Sequence, residues 1–133
     1  MKLTNVLVVL FLVLMAGSPV QSDEYGYITS IAYPVVEDEV FKVNINQIDG
    51  QNASGTVNYP ATAGTHVVTL SAVPDPTLMP PLPYARSDIY YGEITVEVEA
   101  GKTYQLAAKV NPDATKEQQQ SGDFWEPVLY KVE

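Results

Sequence analysis

Between residues 93 and 110 apolar and polar side chains alternate, twice in succession. Ile94, Val96 and Val98 alternate with Glu93, Thr95, Glu97 and Glu99. After Ala100-Gly101-Lys102, Tyr104, Leu106, Ala108 and Val110 alternate with Thr103, Gln105, Ala107 and Lys109. A period of two sends successive side chains to opposite faces of a strand, whereas a helix needs a period near 3.6. The chain must therefore bury two apolar strand faces. The Gly-containing turn between them predicts a β-hairpin with one apolar and one wet face. Glu97 and Glu99 stand within cross-strand reach of Lys102 or Lys109, exposed pairs worth only about 0.2–1 kcal/mol.

The same period recurs elsewhere, and no long stretch shows the helical one. Tyr25, Tyr27 and Thr29 alternate with Gly26, Ile28 and Ser30, a first strand for which an edge position is the simplest placement. Phe41, Val43 and Ile45 alternate with Lys42, Asn44 and Asn46, one half-buried strand ending at the turn residues Asp49-Gly50. Val57 and Tyr59 read as a short strand stopped by Pro60. The run from His66 to Val73 is strongly β-forming, with Val68, Leu70 and Ala72 toward the core and His66 at the rim. Trp125, Val128, Tyr130 and Val132 form a last strand, and Pro127 within it calls for an edge or a bulge. The expected fold class is all-β: a single antiparallel β-sandwich of six to eight short strands, with a small barrel as the alternative.

The N-terminus reads as an address. Lys2 precedes an apolar run over residues 6–16, too short for a membrane span of about 20 residues but suited to a signal-peptide core. Gly17-Ser18-Pro19 breaks it, and Val20-Gln21-Ser22 offers a cleavage site before Asp23. Residues 1–22 are expected to be a signal peptide and residues 23–133 one domain, exported to the periplasm or secreted. Position 18 is Ser where a lipoprotein would carry Cys, so no stable membrane anchor is expected in the mature form. With no Cys anywhere, disulfides, thiolate metal sites and thiol nucleophiles are excluded. A net charge of -9 argues against nucleic acid, whose phosphates need clustered Lys and Arg.

Two segments interrupt the strands. The loop over residues 74–88 holds half of the 10 prolines. Proline fixes φ, so an extended, polyproline-like course is expected. It also carries Leu78, Met79 and Leu82, followed by Tyr84, Arg86, Tyr90 and Tyr91. Aromatic rings beside polar groups suit protein or glycan surfaces, and these seven residues are the candidate binding site. The competing reading has the loop's apolar residues cover an open end of the sandwich. The polar segment 111–122 offers no apolar face and reads as a mobile connector.

Catalytic chemistry is thin. His66 is the only histidine and has no partner at metal-ligand spacing. No nucleophile elbow, phosphate loop or dinucleotide fingerprint is present. Glu93, Glu97 and Glu99 sit on a solvent face, while Glu37-Asp38-Glu39 with Asp23 and Glu24 offers only a diffuse oxygen set for calcium. No catalytic residue, metal or cofactor is expected. Asn52-Ala53-Ser54 matches a glycosylation sequon, which matters only in a eukaryotic secretory route.

The stretch over residues 43–110 resembles small bacterial envelope β-domains of the PEGA-like kind. The resemblance rests on Val43-x-Ile45, Ile48-Asp49-Gly50, Ala63-Gly64-Thr65-His66-x-Val68-x-Leu70 and Val96-x-Val98-x-Ala100-Gly101-Lys102-x-Tyr104-x-Leu106. Pro60-Ala61-Thr62-Ala63 stands near the place of the tetrapeptide that gives those domains their name. The resemblance implies a non-enzymatic envelope domain with an adhesion or assembly role. The expected function is binding of an envelope protein or glycan. A purely structural accessory domain and a carboxylate-dependent hydrolase are the alternatives.

Overall fold

The computed structural model describes residues 24–53, 55, 57–74, 79–86 and 89–133. The expected signal peptide and Leu78 lie outside these residues. The described chain is all-β, with nine strands in two sheets and one short helix.

The first sheet is built around β8 (Thr103–Val110). Strand β9 (Trp125–Val132) pairs antiparallel along one of its edges from Tyr104 to Val110. The other edge is shared. β1 (Tyr25–Ser30) runs parallel to its first half, and β2 (Val40–Phe41) runs antiparallel to its second. β5 (Tyr59–Thr62) closes the far side of β1. β1 is thus an interior strand rather than an edge, and its parallel pairing with β8 corrects the expectation of a wholly antiparallel fold. Pro60 lies inside β5, not at its end. That position is tolerable because β5 pairs only with β1 and one of its edges needs no donor. Val57 lies outside any strand and is exposed. Pro127 occupies an edge strand, as its missing N–H requires.

The second sheet has the order β4-β3-β6-β7, comprising β3 (Asn44–Ile48), β4 (Gln51–Asn52), β6 (Gly64–Ala72) and β7 (Tyr90–Val98). Asp49 and Gly50 join β3 to β4 with φ of 54° and 81°, the left-handed pair that tight hairpins need. The expected continuous strand over residues 41–45 divides instead. Phe41 belongs to the first sheet and Asn44 to the second, with Lys42 and Val43 crossing between them.

The expected hairpin over residues 93–110 is also corrected. β7 pairs with β6 and β8 with β9, so the turn at residues 99–102 carries the chain from one sheet to the other. The alternation was right and the pairing was not, because the two apolar faces look toward a common core. One buried cluster joins Ile28, Leu106 and Val110 of the first sheet to Val68, Leu70 and Val96 of the second. A smaller cluster of Ile31, Val40 and Ala107 covers part of the first sheet's other face.

The segment 111–122, expected as a mobile connector without an apolar face, contains a short helix. Helix α1 (Lys116–Ser121) starts at a capping box. Thr115 Oγ1 accepts the Gln118 N–H, and Gln118 Oε1 accepts the Thr115 N–H. Gly122 ends it at φ 91°. Gln119 is its one buried residue, and Ala114, just before the N-cap, is buried beside it in sequence. Phe124, fully buried, returns its carbonyl to the Asn111 N–H and closes the segment.

Candidate functional site

A bulge in β3 begins one candidate site. Ile45 pairs with Leu70 and Gln47 with Thr69, so Asn46 is the extra residue. A bulge re-aims a side chain and is common beside binding sites. The Asn46 side chain borders an open cleft of about 980 Å³, near the upper end of typical ligand sites. Its Oδ1 is buried and has no hydrogen-bond partner among the described residues. Asn44, Asn58, Gln105, Ser71 and Lys42 also border the cleft, with Tyr33, Val57 and Ile89 along it. Tyr33 is 80% exposed. Two hydroxyls of β1 tie the walls together. Thr29 Oγ1 donates to the Val57 carbonyl at 2.6 Å, and Ser30 Oγ accepts the Val43 N–H at 3.1 Å. Among the described lining residues there is no Asp, Glu or His, although the chain holds 16 acids.

The structure divides the residues singled out from sequence. Met79 is buried in the main core and Leu82 packs against it. Tyr90 sets its ring edge-on to Phe124, with centroids 5.1 Å apart. Its hydroxyl accepts the Arg86 N–H at 3.2 Å. Tyr84 is half exposed; its N–H donates to Gln119 Oε1 at 2.8 Å, and Lys116 Nζ lies 5.6 Å from its ring centre. Arg86 and Tyr91 are exposed. The Pro-rich loop thus docks on α1 through Tyr84 and on the core through Met79 and Leu82. Ile89, just after the loop, borders the cleft. Sequence reasoning missed the cleft. Its lining comes from well-separated segments, and the one local signal was the change of apolar parity between Ile45 and Ile48.

His66 occupies a second polar site. Nδ1 is 2.6 Å from Asp49 Oδ2, and Nε2 is 2.6 Å from the Thr62 carbonyl. A carboxylate and a carbonyl can only accept, so the two contacts are both hydrogen bonds only when the ring is an imidazolium. Asp49 Oδ1 also accepts the Val67 N–H at 2.9 Å. Burial disfavours the charged ring, but the Thr62 carbonyl and then the Asp49 carboxylate outweigh it, and the pKa is raised. The Val67 N–H and then His66 lower that of Asp49. Both ring nitrogens are engaged, so His66 ties the β3–β4 turn to β6 rather than presenting a free base.

The pH consequence follows. A raised histidine pKa gives stability that is full below the unfolded value, about 6.5. It is lost as pH rises through the folded value. The lowered pKa of Asp49 works oppositely, giving stability above the carboxylate's ordinary value that is lost in acid. The denaturation midpoint is therefore expected to fall as pH rises from about 6.5, the unfolded histidine's value, through the raised folded value. His66→Gln should flatten that fall. An equal fall in both proteins would show that general charge repulsion, and not His66, sets the slope.

Most of the other described acids are exposed. Tyr130 donates to Asp38 Oδ2 at 2.6 Å, which raises the phenol pKa. Lys109 reaches the Asp38 carbonyl at 2.8 Å and Glu39 at 3.5 Å. Glu97 accepts the Thr65 hydroxyl, and Glu99 pairs with Lys102 at 3.3 Å. Among the described residues no group of three His, Cys, Asp or Glu is placed to hold a metal ion. Compared with known proteins, the chain matches no family model, no curated protein and no solved structure.

Proposed function

We propose that this chain is an exported, non-enzymatic β-sandwich, of the PEGA-like kind, that binds a protein or glycan of the cell envelope. The observation that carries the reading is the cleft beside Asn46. It gathers amides, a phenol ring and apolar edges without a carboxylate or imidazole among its described lining. Such groups hold a ligand by hydrogen bonds and contact; they do not supply the paired acids that glycoside hydrolysis needs. The exposed Tyr84, Arg86 and Tyr91 extend the possible contact surface along the Pro-rich loop.

The test is retention on the immobilised full chain, as its host processes it, of material from the envelope fraction. One portion is treated with protease and another with periodate. Retention is expected to fall at least tenfold with one treatment and with Asn58→Asp, which places a charge in the cleft. Equal retention by the wild type and by Asn58→Asp would sink the cleft assignment. Fractionation of cells checks export, with a mature N-terminus at Asp23 the expected result.

A second reading has one specific observation in its favour. Met79, only 4% exposed, and Leu82 join the core, as a purely structural accessory domain would require of its Pro-rich loop. Tyr84→Ser and Tyr91→Ser separate the two. Both side chains are exposed, so these changes should leave stability within about 0.5 kcal/mol. A lowered retention would then report binding alone.

A further inference from the structure

From the lining of the Asn46 cleft we infer that its ligand is a neutral oligosaccharide. This rests on the reading of the cleft as a binding site and narrows what it binds.

The donor and acceptor chemistry comes first. Asn44, Asn46, Asn58 and Gln105 are among the residues that line the cleft, and each carries a side-chain amide. An amide both donates and accepts, and so does a sugar hydroxyl. A lining rich in such residues suits a ligand that carries many hydroxyls. The buried Asn46 Oδ1 is an acceptor without a donor among the described residues. Leaving such an atom unpaired is unfavourable, and a ligand O–H or N–H that reaches it removes that penalty.

Shape and charge narrow the class. The ring of Tyr33 stands 80% exposed at the cleft. An aromatic face offers rigid apolar contact at low entropic cost, and the C–H face of a sugar ring is its natural complement. A basic ligand finds no carboxylate in the described lining, and Lys42 alone would greet an acidic one. A peptide gains affinity by lying along unpaired backbone at a strand edge. Here Ser71 and Gln105 belong to strands paired on both sides. Thr29 is tied to Val57, and Ser30 to Val43. Asn44 and Ile45 pair with β6 alone, so a short strand edge also borders the cleft, and a peptide is the competitor that the test must separate from a saccharide.

The test is a titration of the isotopically labelled full chain, as processed by its host, followed by NMR of the side-chain amides. The probes are cellotriose, triacetylchitotriose and trialanine. One trisaccharide is expected to move the amide signals of Asn44, Asn46, Asn58 and Gln105 saturably, with a Kd near 1 mM, as small rigid-site ligands often show. Tyr33→Ala and Asn58→Asp should each weaken it at least tenfold while the backbone spectrum stays folded. Both positions are exposed. Shifts caused by trialanine instead would overturn the saccharide inference and leave a binding cleft. Absence of any shift at these amides with either sugar at about 20 mM would also overturn it. Retention of envelope material in the preceding experiment would then persist only if the wider binding reading stands.

Discussion

Phe124→Ala should remove about 3–5 kcal/mol of stability, the usual cost of emptying a buried aromatic site. That is a large share of the roughly 5–15 kcal/mol that holds a domain folded. Phe124 is 0% exposed and does two jobs. Its ring takes the edge-on contact with Tyr90 at the start of β7, and its backbone carbonyl accepts the Asn111 N–H at 2.8 Å. It therefore fastens the polar segment 111–122 between the two sheets' neighbouring edges. Around it, Gly122 approaches Tyr90 so closely that a Cβ there would sit 2.8 Å from the ring. The cavity left by the substitution has little freedom to collapse, because Tyr90 is held by its β6 pairing and by Arg86. The denaturant midpoint should drop sharply with little change of slope, and proteolysis within residues 111–122 should accelerate. Tyr91→Ser, one residue from Tyr90 but 64% exposed, is the control and should stay within about 0.5 kcal/mol. A Phe124→Ala loss of that same small size would mean that the segment is not anchored through this ring.

The strand positions were legible because each strand buries one face and so carries its own period. The partners were not, because pairing is a long-range choice that the period does not encode. Residues 93–110 show this. A Gly-containing turn between two alternating strands is compatible with a hairpin, in which both lie in one sheet. It is equally compatible with a crossing between sheets, in which the apolar faces oppose each other. The core decides for the second, since Val96 and Leu106 meet from opposite sheets in one cluster.

The bulge at Asn46 was partly written in the chain. Val43 and Ile45 set an odd apolar parity and Ile48 breaks it, which is what one inserted residue does. The cap of α1 was written too. Thr115-x-x-Gln118 is a capping-box pattern, overlooked because the helix buries Gln119 instead of an apolar stripe. The cleft itself had no local signature. Thr29, Asn46, Asn58, Ser71, Ile89 and Gln105 share no spacing, and only the two-sheet topology brings them to one space. His66 was read as a rim residue, but its partner Asp49 becomes its neighbour only through the register that sets Ile48 beside Val68.

Gly26→Ala is expected to be nearly as damaging as the loss of Phe124, and for the opposite reason. A Cβ at this position would lie 2.7 Å from the Glu99 carbonyl oxygen and 2.9 Å from that of Lys102, with Val98 Cγ1 also at 2.7 Å. Two of these three atoms are backbone, so no rotamer change relieves the contact. Nor can the turn retreat freely. The Gly101 N–H donates to the Tyr25 carbonyl at 2.9 Å, and the Tyr27 N–H donates to the Lys102 carbonyl at 2.8 Å. These two bonds clamp β1 under the turn that carries the chain between the sheets, and the clamp requires a residue without a side chain between two tyrosines. Overpacking a tight site costs about 1–3 kcal/mol and sometimes more. Backbone contacts on both sides put this site at the upper end, about 3 kcal/mol. The substitution should lower the denaturation midpoint and speed hydrogen exchange at Tyr27 and Gly101, whose N–H groups make the clamp. Gly101→Ala tests the same turn from the other side. Its φ is 83° and nothing lies within 4 Å of its would-be Cβ, so the cost there is conformational strain alone, about 1 kcal/mol. If the two variants lose equal stability, steric closure at Gly26 is not what holds β1 beneath the crossing.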